Sequence, residues 1–263
     1  MTKPKTPMKL RYALVITLLV LVSLGQKNAS AQVIYDGISD LTSFTTTTSV
    51  PHTYMGQAFN VSNAAGPTPQ VTSAQVGMFV IGAQSFANVR VRLQLWGTFD
   101  PAATGATDAF SNALGAPLVF TLGPISTAGN GVFVFTLNFG TGITLPSTTN
   151  LGITFNFQTS SDGINFVDNT NVATAMRAPV GTMPIPIGQN ITSGGNAYYR
   201  NASGRTDFNF NANDGRVIAG QTQATDGLAF SLTAVPEPSS WLLLLGGAGA
   251  LVCAQRLRRT SKG

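Results

Sequence analysis

Few side chains in this 263-residue chain are suited to chemistry, and their scarcity is informative. The one histidine, His52, stands between Pro51 and Thr53, with no G-x-S-x-G elbow to supply a nucleophile for it. A Ser-His-Asp triad needs that pairing. A lone histidine of this kind reads as a surface residue. The one cysteine, Cys253, lies in an apolar run near the C-terminus, which removes Cys-His catalysis and any internal disulfide from the preceding body. Residues 32–234 contain no lysine, so Schiff-base and lysine-nucleophile mechanisms have no candidate there. The His/Cys clusters that zinc requires are absent from the sequence.

What remains is oxygen and aromatic chemistry. Nine aspartates populate the body, but no spacing singles out the facing pair that a glycosidase uses. Residues 162–169 and 207–214 gather Asp and Asn in a way that is weakly compatible with Ca2+. Neither matches an EF-hand loop, and turns capped by Asp and Asn side chains account for both. We therefore expect no catalytic residue, no resident metal and no enzyme, with Ca2+ the one weak cofactor candidate. Sugar binding needs an aromatic platform beside polar groups. Trp96, the body's one tryptophan, and the run Tyr198, Tyr199, Arg200 are the candidates for carbohydrate contact. Packing beneath a loop or between sheets is the competing use of these residues.

Strands must position these groups. In residues 89–95, Val89, Val91, Leu93 and Leu95 share one side, which puts Arg90, Arg92, Gln94 and then Trp96 on the other. Residues 132–139 place Phe133, Phe135, Leu137 and Phe139 on one face. Residues 151–158 set Leu151, Ile153, Phe155 and Phe157 against Gly152, Thr154, Asn156 and Gln158. Residues 76–81 form a continuous apolar run. Weaker strands are expected at 54–61, 118–122, 198–199, 208–210 and 228–232. Turn-rich stretches separate these runs, and no helical period of useful length occurs in the body. The pattern predicts an all-β fold, an antiparallel β-sandwich of jelly-roll-like form, with Phe faces filling the core and Thr, Asn and Gln facing water.

The charge pattern is that of an exported protein. The basic residues crowd the two ends, whereas residues 32–234 hold six arginines against nine aspartates, a formal charge of −3. Such a body offers no basic face for phosphates, so nucleic acid is not an expected partner. At the N-terminus, a basic stretch to Arg11 precedes an apolar run at 12–24 and the small residues Ala29, Ser30 and Ala31. This is the layout of a signal peptide, residues 1–31, cut by signal peptidase to leave Gln32 first.

The C-terminal segment, residues 235–263, has three parts. Pro236, Glu237 and Pro238 disfavour helix and leave an extended grip for a protease. Residues 241–254 form an apolar segment, about 21 Å long as a helix, short of the roughly 30 Å hydrocarbon core. Arg256, Arg258 and Arg259 make a basic stop that keeps the end cytoplasmic. Glu237 is the chain's one glutamate, so the motif does not come from a glutamate-rich background.

This tail resembles the PEP-CTERM sorting signal. The resemblance implies a Gram-negative, exopolysaccharide-producing host. It also implies transient inner-membrane anchoring through a C-terminal transmembrane helix, then processing by an exosortase-type membrane protease. The body, residues 32–234, resembles choice-of-anchor domains through residues 150–155 and 198–205, which implies architecture and no activity. Together these readings give an exported structural or adhesive protein of the cell surface or extracellular matrix. The alternative is a carbohydrate-binding module for extracellular polysaccharide.

Overall fold

The alternating run at 151–160 becomes the middle of the larger of two sheets. The computed structural model describes residues 30–39, 44–45, 53–100, 102–103, 106–177, 197–200, 208, 210, 216–218 and 227–236. Among the described residues sixteen strands follow in order: β1 (Gln32–Asp36), β2 (Phe44–Thr45), β3 (Tyr54–Phe59), β4 (Gln70–Val80), β5 (Ala83–Phe99), β6 (Phe110–Ala113), β7 (Leu118–Ala128) and β8 (Gly131–Thr144), then β9 (Leu151–Ser160), β10 (Val167–Asp168), β11 (Val172–Thr174), β12 (Met176–Arg177), β13 (Ala197–Arg200), β14 (Arg216–Ile218), β15 (Gly227–Leu228) and β16 (Phe230–Val235). One 3-10 turn, Asn63–Ala65, is the sole helical element among the described residues.

Every pairing among the described strands is antiparallel. The larger sheet runs β14-β13-β3-β9-β5-β6, with β10 added beside β9 and β7 beside β5. The smaller runs β1-β16-β4-β11, with β8 on the other side of β4. β15, β12 and β2 form a short three-stranded sheet.

The two large sheets share one core. Val89, Val91, Leu93 and Leu95 of β5 and Leu151, Ile153, Phe155 and Phe157 of β9 are buried. They join Val71, Val76 and Met78 of β4 and Phe230 and Leu232 of β16 in a single cluster. Phe230 is its aromatic hub. Its ring stacks on Tyr35 at 4.2 Å and meets Phe59 edge-on at 5.5 Å and Phe155 at 5.8 Å. Tyr35 and Phe230 belong to the smaller sheet, and Phe59 and Phe155 to the larger. These contacts are the physical content of the sandwich. Residues Ala31–Val235 form one compact unit.

Two expectations change. Thr154 and Asn156 are fully buried and Gln158 is 7% exposed, although alternation predicted a water-facing side. β9 lies inside its sheet, and Phe110, Asp168, Phe208 and Phe210 cover its second face. Phe208 and Phe210 are buried without being in a strand. They belong instead to a second cluster with Tyr54, Ala58, Phe99 and Phe110 on the outer side of the larger sheet.

Candidate functional site

The outer face of the larger sheet collects polar groups in aligned rows. Register places Asp168, Gln158 and Arg90 in one row across β10, β9 and β5. Tyr54, Asn156 and Arg92 form the next across β3, β9 and β5. Gly56, Thr154 and Gln94 follow, then Ala58, Gly152 and Trp96. Paired positions on neighbouring strands point to the same side, so alternation along three strands builds one surface.

The first two rows are closely wired. Asp168 Oδ1 accepts hydrogen bonds from Gln158 Nε2 at 2.8 Å and Asn156 Nδ2 at 3.1 Å. Arg90 Nε donates to Gln158 Oε1 at 2.8 Å. Arg92 Nη1 reaches Tyr54 Oη at 3.5 Å. Each guanidinium also lies over a ring, Arg90 on Phe166 at 4.3 Å and Arg92 on Phe208 at 4.6 Å. Packing over a ring fixes a guanidinium without using its N–H groups, so those not given to Gln158 or Tyr54 can meet a ligand. The Arg90 pKa is lowered, first by desolvation and then by Arg92 beside it, against the pull of Asp168 and Tyr54. Asn156 Oδ1 is buried with no hydrogen-bond partner. The arrangement is a rigid, half-buried pair of like charges on a polar floor, suited to holding an anionic or hydroxyl-rich ligand.

The sequence candidates fall around this face. Trp96 is half-buried, stacks beside Phe110 at 6.2 Å and donates from Nε1 to Thr154 Oγ1 at 3.1 Å. Its ring packs with the second apolar cluster. Tyr198, Tyr199 and Arg200 lie in β13 opposite Gln57, Gly56 and Met55. Tyr199 is thus three strands from Gln94, roughly 14 Å at the usual strand spacing. The two candidate groups share a sheet but sit apart. The Asp168–Asn156–Gln158 network was not anticipated, because residue spacing along the chain does not reveal that β10 folds back on β9.

Asp162 behaves as a turn cap. It accepts from Ser160 Oγ at 2.6 Å, from the Ile164 and Asn165 amides at 2.8 Å each, and from Asn165 Nδ2 at 2.7 Å. These bonds hold its pKa well below the usual carboxylate range. Among the described residues, no group of three or more His, Cys, Asp or Glu comes together that could hold a metal ion. Asp207, Asp214 and His52 lie outside the described residues.

The sorting segment begins where the sandwich stops. β16 ends at Val235, and Pro236 follows outside the ladder, half-buried. Residues 234–259 match the family described as the PEP-CTERM protein-sorting motif. The chain carries that motif. It marks an exosortase-sorted extracellular protein, processed by an exosortase membrane enzyme. No curated protein and no solved structure matches the chain. Glu237, Pro238, the apolar run with its predicted transmembrane helix, and Arg256, Arg258 and Arg259 lie outside the described residues, as does Ala29. Among the described residues, no helix is long and apolar enough to cross a membrane. Ala31 and Gln32 are exposed, and β1 begins at Gln32.

Proposed function

We propose that the sandwich is a non-enzymatic structural and adhesive module of the cell surface or extracellular matrix, working without a cofactor. The observation that carries this reading is how the sorting motif joins the fold. β16, which runs into Pro236, lies between β4 and β1. Six residue pairs tie it to β4 and four to β1. Tension applied at the end of β16 therefore loads two ladders and the Phe230 hub together, which suits a domain held by that end. The host implied is an exopolysaccharide-producing Gram-negative bacterium. The test is deletion of the gene in the native host, followed by matrix rheology and cell cohesion. The expected result is a weaker matrix that full-length protein restores; unchanged cohesion would overturn the proposal.

A second reading is favoured by the ringed arginine pair. The outer face of the larger sheet binds extracellular polysaccharide, with Arg90 and Arg92 taking carboxylates or hydroxyls. Their stacked guanidiniums present N–H donors in fixed positions, as planar bidentate recognition requires. Affinity electrophoresis in polygalacturonate against dextran tests it. Retardation lost in the Arg90→Gln, Arg92→Gln double variant supports this face, and retardation in neither polymer removes it.

A further inference from the structure

We infer that β8 is a self-association edge, at which two copies of this chain pair antiparallel and join their smaller sheets. Among the described strands, β8 pairs with β4 alone, so its other side carries a row of backbone donors and acceptors with no strand beside it. The ladder from Gly131 to Asn138 against Val80 to Ser73 is unbroken, which keeps this stretch regular. Exposed edges of this kind are ordinarily blunted by charge, proline, shortness or bulges. The opposite edge of the same sheet follows that rule. β1 has five residues, shifts register between Val33 and Tyr35, and ends in Asp36. β7, the other strand at this rim, carries Pro124 and two shifts of register against β5. β8 has fourteen residues, no proline and no charge, and its one shift of register against β4 falls beyond Asn138, outside the regular stretch. No charged residue occurs anywhere between Asp108 and Asp162.

The rim is also where the core is least covered. Phe133, Phe135 and Ile143 of β8, with Leu118, Phe120 and Leu122 of β7, pack against the main core while only partly buried. Val134 is 44% exposed and Val119 is 54% exposed. An added strand would cover this margin and satisfy the edge together.

The occupant that fits is a second copy. A body of formal charge −3 repels its own kind in general, but this strip brings no like charges together. A charged partner would find nothing on it to pair with. An antiparallel strand is moreover its own complement about a two-fold axis. With the axis at Phe135, the inward row sets Phe135 against Phe135, Phe133 against Leu137 and Gly131 against Phe139 of the second copy. The outward row sets Val134 against Thr136 and Val132 against Asn138. Every pair is apolar or neutral, and the smallest residue faces a large ring.

Sedimentation velocity on the protein recovered from the extracellular fraction tests this between about 1 and 100 μM, where a contact of modest size dissociates. The expected result is a monomer–dimer equilibrium. It weakens at least about tenfold in the Val134→Lys, Thr136→Lys double variant, because the two lysines then stand opposite each other across the paired edge. Val33→Lys on β1 leaves it unchanged. A wild type that stays monomeric throughout overturns the proposal, as does a double variant that dimerises as the wild type does. Loss of association in Val33→Lys overturns it in favour of head-to-tail pairing of β8 with β1. Hydrogen exchange on the wild type gives a readout free of variants: the amides within 131–139 that point away from β4 gain protection with concentration. Protection independent of concentration overturns the proposal.

Discussion

Truncating Phe230 to alanine tests the hub that locks the tail-bearing strand. Phe230 is fully buried and touches three rings, Tyr35 at 4.2 Å, Phe59 at 5.5 Å and Phe155 at 5.8 Å. Removing a buried phenylalanine costs about 3–5 kcal/mol through lost transfer energy and the cavity left behind. The upper part of that range applies here, because the neighbouring rings belong to two sheets held by their ladders and cannot collapse inward. With a urea slope of about 2 kcal/mol per molar, the unfolding midpoint falls by roughly 2 M. Trp96 reports the transition by fluorescence, since it sits in the second cluster, away from the cavity. Phe230→Leu is the control, expected to lose under about 1.5 kcal/mol. A Phe230→Ala loss below about 1.5 kcal/mol, or one equal to that of Phe230→Leu, would refute the argument that this ring joins the sheets.

Other outcomes follow from single contacts. Gln57 is buried, donates from Nε2 to Tyr35 Oη at 2.9 Å and accepts from the Leu228 amide, so Gln57→Leu strands that amide. It should cost about 1–3 kcal/mol by urea unfolding. Gly152→Ala would place a Cβ 2.2 Å from Phe110 Cδ1 and 3.2 Å from Trp96 Cβ. Overpacking of about 1–3 kcal/mol is expected, with a shifted Trp96 emission; an unchanged spectrum and midpoint would contradict the packing of Phe110 on β9. Asp162 has a folded pKa below its unfolded value of about 3.9, so its share of stability is full above that value and lost as pH falls toward the folded pKa. The protection of the Ile164 and Asn165 amides, taken relative to the intrinsic exchange rate at each pH, should therefore fall in acid, and Asp162→Asn should flatten the dependence.

The central strands were legible because alternation is strongest where one face meets a continuous core. β5, β8 and β9 show it over seven residues or more, and their inward sets in β5 and β9 are buried as read. Even the placement of Trp96 on the same face as Arg90 and Arg92 followed from period two. Local pattern failed where burial came from chain outside the strand itself. Asn156 and Gln158 read as solvent-facing, yet β10 folds back to lay Asp168 across them. Two- and three-residue strands such as β10, β11 and β12 are too short for a period to register. β1 escaped notice because Gln32 and Asp36 flank its three apolar residues, and its pairing with β16 spans almost the whole body. The sorting motif was readable because its signal is linear, with residue types in fixed order rather than groups assembled by folding.

The most direct test is mass spectrometry of both ends of the protein recovered from the envelope and medium of its native host. The expected product is a chain that starts at Gln32 and has lost the segment beyond about Pro238, found outside the inner membrane. A chain still ending at Gly263 and confined to the inner-membrane fraction would contradict exosortase sorting, and with it the surface role of the sandwich.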